Sequence, residues 1–494
     1  MFVIVPTEPI EVPLYGVAEL KVPRETEFLS FQAPDGQLRK IPAFWKDAQT
    51  RCVRFSPDEP GAWTYCLAGT EGSVICTEQP DLSVAQPLFV GSDGWSFVRK
   101  DGSPCFLMGY ECNWLWAMNM RPNGQKRLEK FLEKIASYGF NFVRVNVFAY
   151  DTEWCAGNVS DEDYGPPPLY CFGGTNENPD FSQLNPIYFE HFDRMMEALQ
   201  ARGIYVELYF KVFNKQVNWP QRASREEQNF FDEVVARYQA FSNVIWDFSK
   251  EAYYEIHKDY VANFYKRISK RDAYHRLKTL HDDKVFYGDE RLRENVDFVS
   301  SQQHFDIYTT ALRYRDYHMP VTAAEFGYEC GAKGTKDLSY MYGQTPEEFV
   351  RRAWEVVMAK AYPTYYYTYS AWDIISPDHT PKGYEYWKYL RDYLERIDWQ
   401  VYTPRPEYCL WRGRALEKDQ TEYLYLIEEN EHALFYMPGS KSGLEIEWFN
   451  MYTNETLVER LDINEVERRG EAELIVLTNP FQDQWAVAHV KKRG

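Results

Sequence analysis

Between about residue 104 and residue 398, apolar positions alternate between two periods. Leu128, Phe131, Leu132 and Ile135 recur at the i, i+3, i+4, i+7 spacing of a one-sided helix, and the nearly continuous apolar run NFVRVNVF follows at once. The same pairing returns twice: Phe189, Phe192, Met196 and Leu199 precede IYVELYF, and Phe231, Val234, Val235 and Tyr238 precede NVIWDFS. The pattern predicts strands near 105–110, 141–149, 204–211, 243–249, 277–281, 296–301, 320–325 and 364–372. Eight strand-and-helix units in one stretch of this length predict an α/β fold, a (β/α)₈ barrel.

The flanks follow another rhythm. Up to about residue 85, short strand-like pieces (FLSFQA, RKIPAFW, RCVRFS, AWTYCLAG) are punctuated by Pro34-Asp35-Gly36 and Pro57-Asp58-Glu59-Pro60-Gly61, which predicts an antiparallel sandwich. A hairpin is expected next, with WSFVRK and PCFLMG on either side of Asp101-Gly102, a dipeptide suited to positive φ. Beyond about 400, TEYLYLIEE, HALFYMP, LEIEWFN and WAVAHVK predict a second small β-sandwich. The expected domains are therefore 1–85, 86–400 and 401–494, with no low-complexity linker between them.

Charge narrows the partners. A formal net charge of -19 opposes binding to nucleic acid or to an anionic membrane surface. No apolar run reaches the ~18 residues that would span a bilayer, and the opening MFVIVPTEPI lacks the basic start of a signal peptide. Nine cysteines without short repeated spacing suggest neither a disulfide framework nor a zinc site, so reduced thiols and a cytoplasmic location are expected. Homo-oligomer formation stays open. The 15 Trp and 38 Tyr outnumber the 31 Phe, so most aromatic rings carry a polar tip, which suits sugars with their C–H faces and hydroxyl edges as well as it suits a large core.

In a barrel of this kind the reacting groups sit where strands end and the following loops begin. The first predicted strand ends in Glu111, Asn113, Trp114 and Trp116, the second in Arg144, Asn146 and Tyr150, and the third around Glu207 and Lys211. Then come Lys250-Glu251 on the fourth, Gln302-Gln303-His304 on the sixth, Glu325 through Glu329 on the seventh and Trp372-Asp373 on the eighth. His281, Asp282 and Asp283 are the nearest approach to a metal cluster, and solvated loop residues are the plainer reading. No metal or cofactor is expected.

NVIWDFSKE resembles the fourth-strand motif of clan A glycoside hydrolases, a strand followed by Asn-Glu, and PVTAAEFGYE resembles their seventh-strand motif. The resemblance implies that Glu251 is the general acid/base and Glu325 the nucleophile. It also implies that Arg144, His304 and Trp372 orient the nucleophile or form the sugar-binding floor. IPAFW with RFSPDEPGAWTY is similar to the immunoglobulin-like domain attached to many such barrels, and FYMPG through QWAVAHVKK to their carboxy-terminal sandwich. The sequence departs from the clan at Lys250, which stands where an Asn normally contacts the substrate.

These readings combine into one expectation, a retaining hydrolase of a β-linked oligo- or polysaccharide, with Asn146, Lys250, Glu111, Asn113 and Trp114 as further substrate contacts. Two close carboxyl groups should then hold different protonation states, with Glu251 raised and Glu325 kept ionised by donors such as Arg144. Lys250 would work against the raised acid. The alternatives are a catalytically silent carbohydrate-binding barrel and, more remotely, a barrel enzyme of non-glycosidic chemistry.

Overall fold

The computed structural model describes residues 8–77, 84–152, 167–282, 287–330, 343–367, 377–429, 432–438, 443–462, 466, 468–469, 474–481 and 483–493. Trp372, expected in the site, lies outside them, as does Asp373.

The amino-terminal part is a two-sheet β-sandwich. A five-stranded sheet (Ile10–Pro13, Thr70–Thr77, Gly61–Leu67, Phe28–Gln32 and Leu38–Pro42, in that order) faces a three-stranded one (Ala18–Val22, Arg51–Phe55, Phe44–Trp45). Gly61–Leu67 alternates strictly, with Trp63, Tyr65 and Leu67 inward, because successive strand residues point to opposite faces. Phe31, stacked on Phe55 at 3.9 Å between centroids, fills the core with Trp63.

The expected hairpin forms with a short second arm. The turn at Asp101-Gly102 forms, with Gly102 at φ 81° and Arg99 N–H donating to the Ser103 carbonyl at 2.9 Å. Phe97–Arg99 also pairs with Leu88–Val90, and across the turn the contacts are Val98 with Pro104 and Cys105 N–H donating to the Phe97 carbonyl at 2.9 Å, so the second arm stays a short bridge and not a strand. The reason is local: Pro104 lacks an N–H, and the apolar run behind it enters the core beneath the barrel.

The central part is the barrel. Its strands are β1 (Gly109–Glu111), β2 (Phe142–Asn146), β3 (Tyr205–Val212), β4 (Val244–Lys250), β5, which comes in two pieces (Lys278–Thr279 and His281–Asp282), β6 (Val299–Gln302), β7 (Val321–Glu325) and β8 (Tyr362–Tyr365). All neighbours are parallel. The first piece of β5 pairs with β4 and the second with β6, so the sheet turns its corner at Leu280. The predicted helices cover the outside: Leu128, Phe131, Leu132 and Ile135 are the buried stripe of Gly124–Ser137. Pro186–Gln200 and Arg225–Tyr238 begin where Asn185 and Ser224 accept from otherwise unpaired backbone N–H groups.

The sandwich is riveted to the barrel by a buried ion cluster. Arg54 reaches Asp193 at 2.6 Å, and Arg237 reaches the same carboxylate at 2.8 Å on both of its oxygens. At the other end, a six-stranded and a four-stranded sheet enclose Tyr425, Phe435, Trp448 and Ile475. No helix among the described residues is long and apolar enough to cross a membrane.

Candidate active site

β4 ends at Lys250, and Glu251 then takes φ 53° and ψ 53°, the left-handed region that costs a residue with a side chain ~1–2 kcal/mol. That turn lifts the chain out of the sheet into Ala252–Tyr254. It is held by a side chain from the next strand, since Glu251 N–H donates to Nδ1 of His281 at 3.2 Å. Glu325 closes β7, and Gln302 closes β6 beside it.

Gln302 links the two glutamates. Its Nε2 lies 3.2 Å from Glu251 Oε1 and 3.4 Å from Glu325 Oε2. Glu325 Oε2 also accepts from the Tyr328 hydroxyl at 2.7 Å, and its Oε1 lies 2.9 Å from Lys250 Nζ. Lys250 continues to Glu111 Oε1 at 3.2 Å and sits 5.4 Å above the Tyr366 ring. All four ionisable side chains are buried.

These neighbours give the carboxyls different acidities. Burial would raise Glu325, but the Lys250 ammonium, with His281, the Tyr328 hydroxyl and His304 behind it, holds the group down at about 2. Glu251 is shifted upward, first by burial and then by the Glu325 charge, with Lys250 opposing. Burial pushes His281 down to about 3 and His304 down to about 4. A neutral His281 fits its contacts: Nδ1 accepts from Glu251 N–H, which assigns the proton to Nε2, 3.7 Å from Glu325.

Arg144 is elsewhere than expected. It is fully buried below the site, 3.1 Å from Glu207 and donating to Thr322 at 2.9 Å and to Thr364, so Lys250 and Tyr328 take the place assigned to it beside Glu325. Below the site, burial and the Glu207 charge push Asp247 well above the usual carboxylate range. Asn146 stands at the end of β2 with neither end of its amide hydrogen-bonded among the described residues, and the Gln302 carbonyl oxygen is likewise unpaired. Asn113 and Trp114 are buried in the loop after β1, where the Asn113 carbonyl accepts from Asn146 N–H at 2.9 Å. His304 Nε2 lies 3.5 Å from the Tyr328 hydroxyl, which itself donates to Glu325. Glu329 belongs to the scaffold: it accepts from Tyr365 at 2.7 Å and from Gly383 N–H, at the start of helix Gly383–Arg396, at 3.2 Å.

Sequence reasoning passed over Gln302, His281 and Tyr328. Gln302 stood in the right strand end, next to the histidine chosen instead. His281 was weighed only as a metal ligand, and among the described residues no group of His, Cys, Asp or Glu is placed to hold a metal. Tyr328 is three residues past Glu325, a spacing that a turn at Gly327 (φ 152°) folds back on the carboxylate.

A family model for the apiosidase-like catalytic domain matches residues 92–401. Among solved structures, a candidate glycoside hydrolase from Bacteroides vulgatus ATCC 8482 superposes with a TM-score of 0.75 at 17% identity, covering 98% of this chain and 100% of that one. A glycoside hydrolase family 5 protein from the same organism gives 0.61 at 16% identity, covering 83% of this chain and 95% of that one. What is shared at these identities is the fold. No curated protein matches the chain.

Proposed function

The chain belongs to the apiosidase-like catalytic-domain family, and from that premise we propose that it is a retaining glycosidase with Glu325 as nucleophile and Glu251 as general acid/base. Glycosidase chemistry is the coarse reading that family and fold support; the roles of the two glutamates rest on the geometry of one amide. Glu251 Oε1 and Glu325 Oε2 share the Gln302 nitrogen at 3.2 and 3.4 Å, so these two oxygens are at most ~6.6 Å apart. That accommodates the ~5 to 5.5 Å of retaining pairs and excludes nearly all of the ~6.5 to 9.5 Å range of inverting ones.

The electrostatics favour the same division. Glu325, ion-paired with Lys250 and hydrogen-bonded by Tyr328, is an anion over the whole physiological range, as attack on an anomeric carbon requires. Glu251, shifted upward by burial and by its neighbour's charge, is the more readily protonated of the two, which suits it to donate to the leaving oxygen. Asn146 and the Gln302 carbonyl have hydrogen-bonding capacity to offer sugar hydroxyls. The glycone and a β-linkage are proposals of the same kind, and the family name puts apiosides first among substrates to try.

The test is a panel of aryl glycosides that includes an apioside, with product anomers followed by NMR from the first turnovers. Retention, together with loss of turnover by ~10⁴-fold or more in Glu325→Ala, is the expected result. An inverted product would exclude the nucleophile role, and saturable sugar binding without turnover in the wild type would make the chain a binding barrel.

A further inference from the structure

Lys250 and Glu251 are adjacent in sequence, yet both reach the surroundings of Glu325, Lys250 directly and Glu251 through Gln302, because Glu251 leaves the strand in the left-handed conformation. An ammonium in that position has two reacting carboxyls within its range. It is found at 2.9 Å from Glu325, and on its far side, at 3.2 Å, is Glu111 of β1. Glu111 is fully buried, and its second oxygen has no hydrogen-bond partner among the described residues. Resting on the proposed roles of Glu251 and Glu325, we infer that Glu111 is a positioning residue: by accepting from Lys250 it keeps the ammonium away from Glu251 while the nucleophile is esterified.

The need arises midway through a double displacement. Glu325 bonds to the anomeric carbon as the bond from that carbon to the leaving oxygen breaks, and the Glu251 proton passes to that oxygen. Glu325 is now an uncharged ester, and Glu251 is a carboxylate. Lys250 has lost the attraction of the Glu325 anion, and a flexible lysine would be drawn to the new anion next door. An ion pair there would lower the basicity of the group that must next take a proton from water. Glu111 supplies a competing acceptor that is already in contact. Water then bonds to the anomeric carbon, its proton returns to Glu251, and the ester bond breaks to restore the Glu325 carboxylate.

The surroundings make Glu111 suitable as an uncharged acceptor. It is faced by Lys250 from β4, Glu325 from β7, Arg144 from β2 and Tyr209 from β3. Burial pushes its carboxyl up to about 8, helped by the Glu325 charge and opposed by Lys250 and Arg144. A glutamine can reproduce such an acceptor. Glu251 is faced by Glu325, Lys250, Gln302, Tyr253 and, through its backbone, His281.

The test uses the full chain and the 2,4-dinitrophenyl form of whichever glycoside the wild type hydrolyses, so that breakdown of the intermediate limits kcat. Glu111→Ala, and Glu111→Leu as a volume-preserving second variant, should lower kcat ~10-fold and move its acidic limb down by ~1 pH unit, with kcat/KM changed much less. Glu111→Gln should restore both. In a Lys250→Met background, removing Glu111 should change neither, because the group acts through the ammonium. Equal losses in kcat and kcat/KM with an unmoved limb, or an undiminished effect in the Lys250→Met background, would overturn the inference. Failure of the underlying assignment looks different: Glu325→Ala would then retain turnover of the same substrate.

Discussion

Replacing Lys250 with methionine removes the charge that keeps Glu325 ionised while roughly preserving volume. At the observed 2.9 Å, with the effective dielectric of ~20 that describes most protein sites, the attraction is ~6 kcal/mol, equivalent to ~4 pH units on the Glu325 carboxyl. Relaxation and entering water would reduce this, so it is an upper bound. Glu325 now sits at about 2, so its loss of the ammonium should carry it toward ~6. A nucleophile must be ionised, and activity is lost as pH falls through its pKa. The acidic limb of kcat/KM should therefore move up by ~2 to 4 pH units, to between ~4 and ~6, so that the variant keeps no more than about half of its limiting value at pH 4 and regains it as pH rises above the limb. Glu251 loses an opposing cation as well, so the alkaline limb should also rise, and the two carboxyls would titrate as a coupled pair. Steady-state rates across pH on one aryl glycoside measure both limbs. An acidic limb within ~1 pH unit of the wild type would refute the charge argument, whatever happened to kcat.

For Glu251→Ala, the loss should be largest on natural oligosaccharides and smallest on 2,4-dinitrophenyl glycosides, since only poor leaving groups need protonation; equal losses across leaving groups would count against an acid role. Asp193→Asn leaves Arg54 and Arg237 facing a neutral side chain in a buried site, so it should destabilise the chain by ~3–5 kcal/mol and loosen the amino-terminal sandwich, as read by calorimetry and limited proteolysis. Glu329, raised by burial from its usual 4.5 to about 7, binds its proton more tightly folded than unfolded, so its contribution is full below pH 4.5 and is lost as pH rises to 7. Glu329→Gln should remove ~3 kcal/mol of that decline, and identical stability curves for both proteins over this window would contradict it.

The barrel was legible because each of its helices must bury a stripe at period 3.6, and each strand, covered on both faces, must be almost wholly apolar. Leu128, Phe131, Leu132 and Ile135 carry that signal whatever surrounds them. Strand limits were harder. β1 begins at Gly109 and not at Cys105, because Cys105 N–H is taken by the Phe97 carbonyl across the Asp101-Gly102 turn. A hydrophobic run shows where a chain is buried and leaves open which neighbour pairs with it.

The candidate site was legible to the extent that a strand end is, and no further. Strand ends in a barrel converge, so Glu251 and Glu325 could be brought to one pocket from their positions alone. Which of several polar residues at each end faces inward depends on the last φ and ψ. Gln302 and His304 are two residues apart, yet Gln302 is the one that bridges the glutamates among the described residues, while His304 meets the Tyr328 hydroxyl. Arg144 shows the complementary limit: a cation on β2 is level with Glu207 on β3, so the register of that pair draws it down into the barrel floor. Lys250 shows what a charge count alone leaves out. One ammonium beside two carboxyls could stabilise either anion; its observed contacts, 2.9 Å to Glu325 and 3.2 Å to Glu111, make it a cause of the difference between the glutamates and not an obstacle to it.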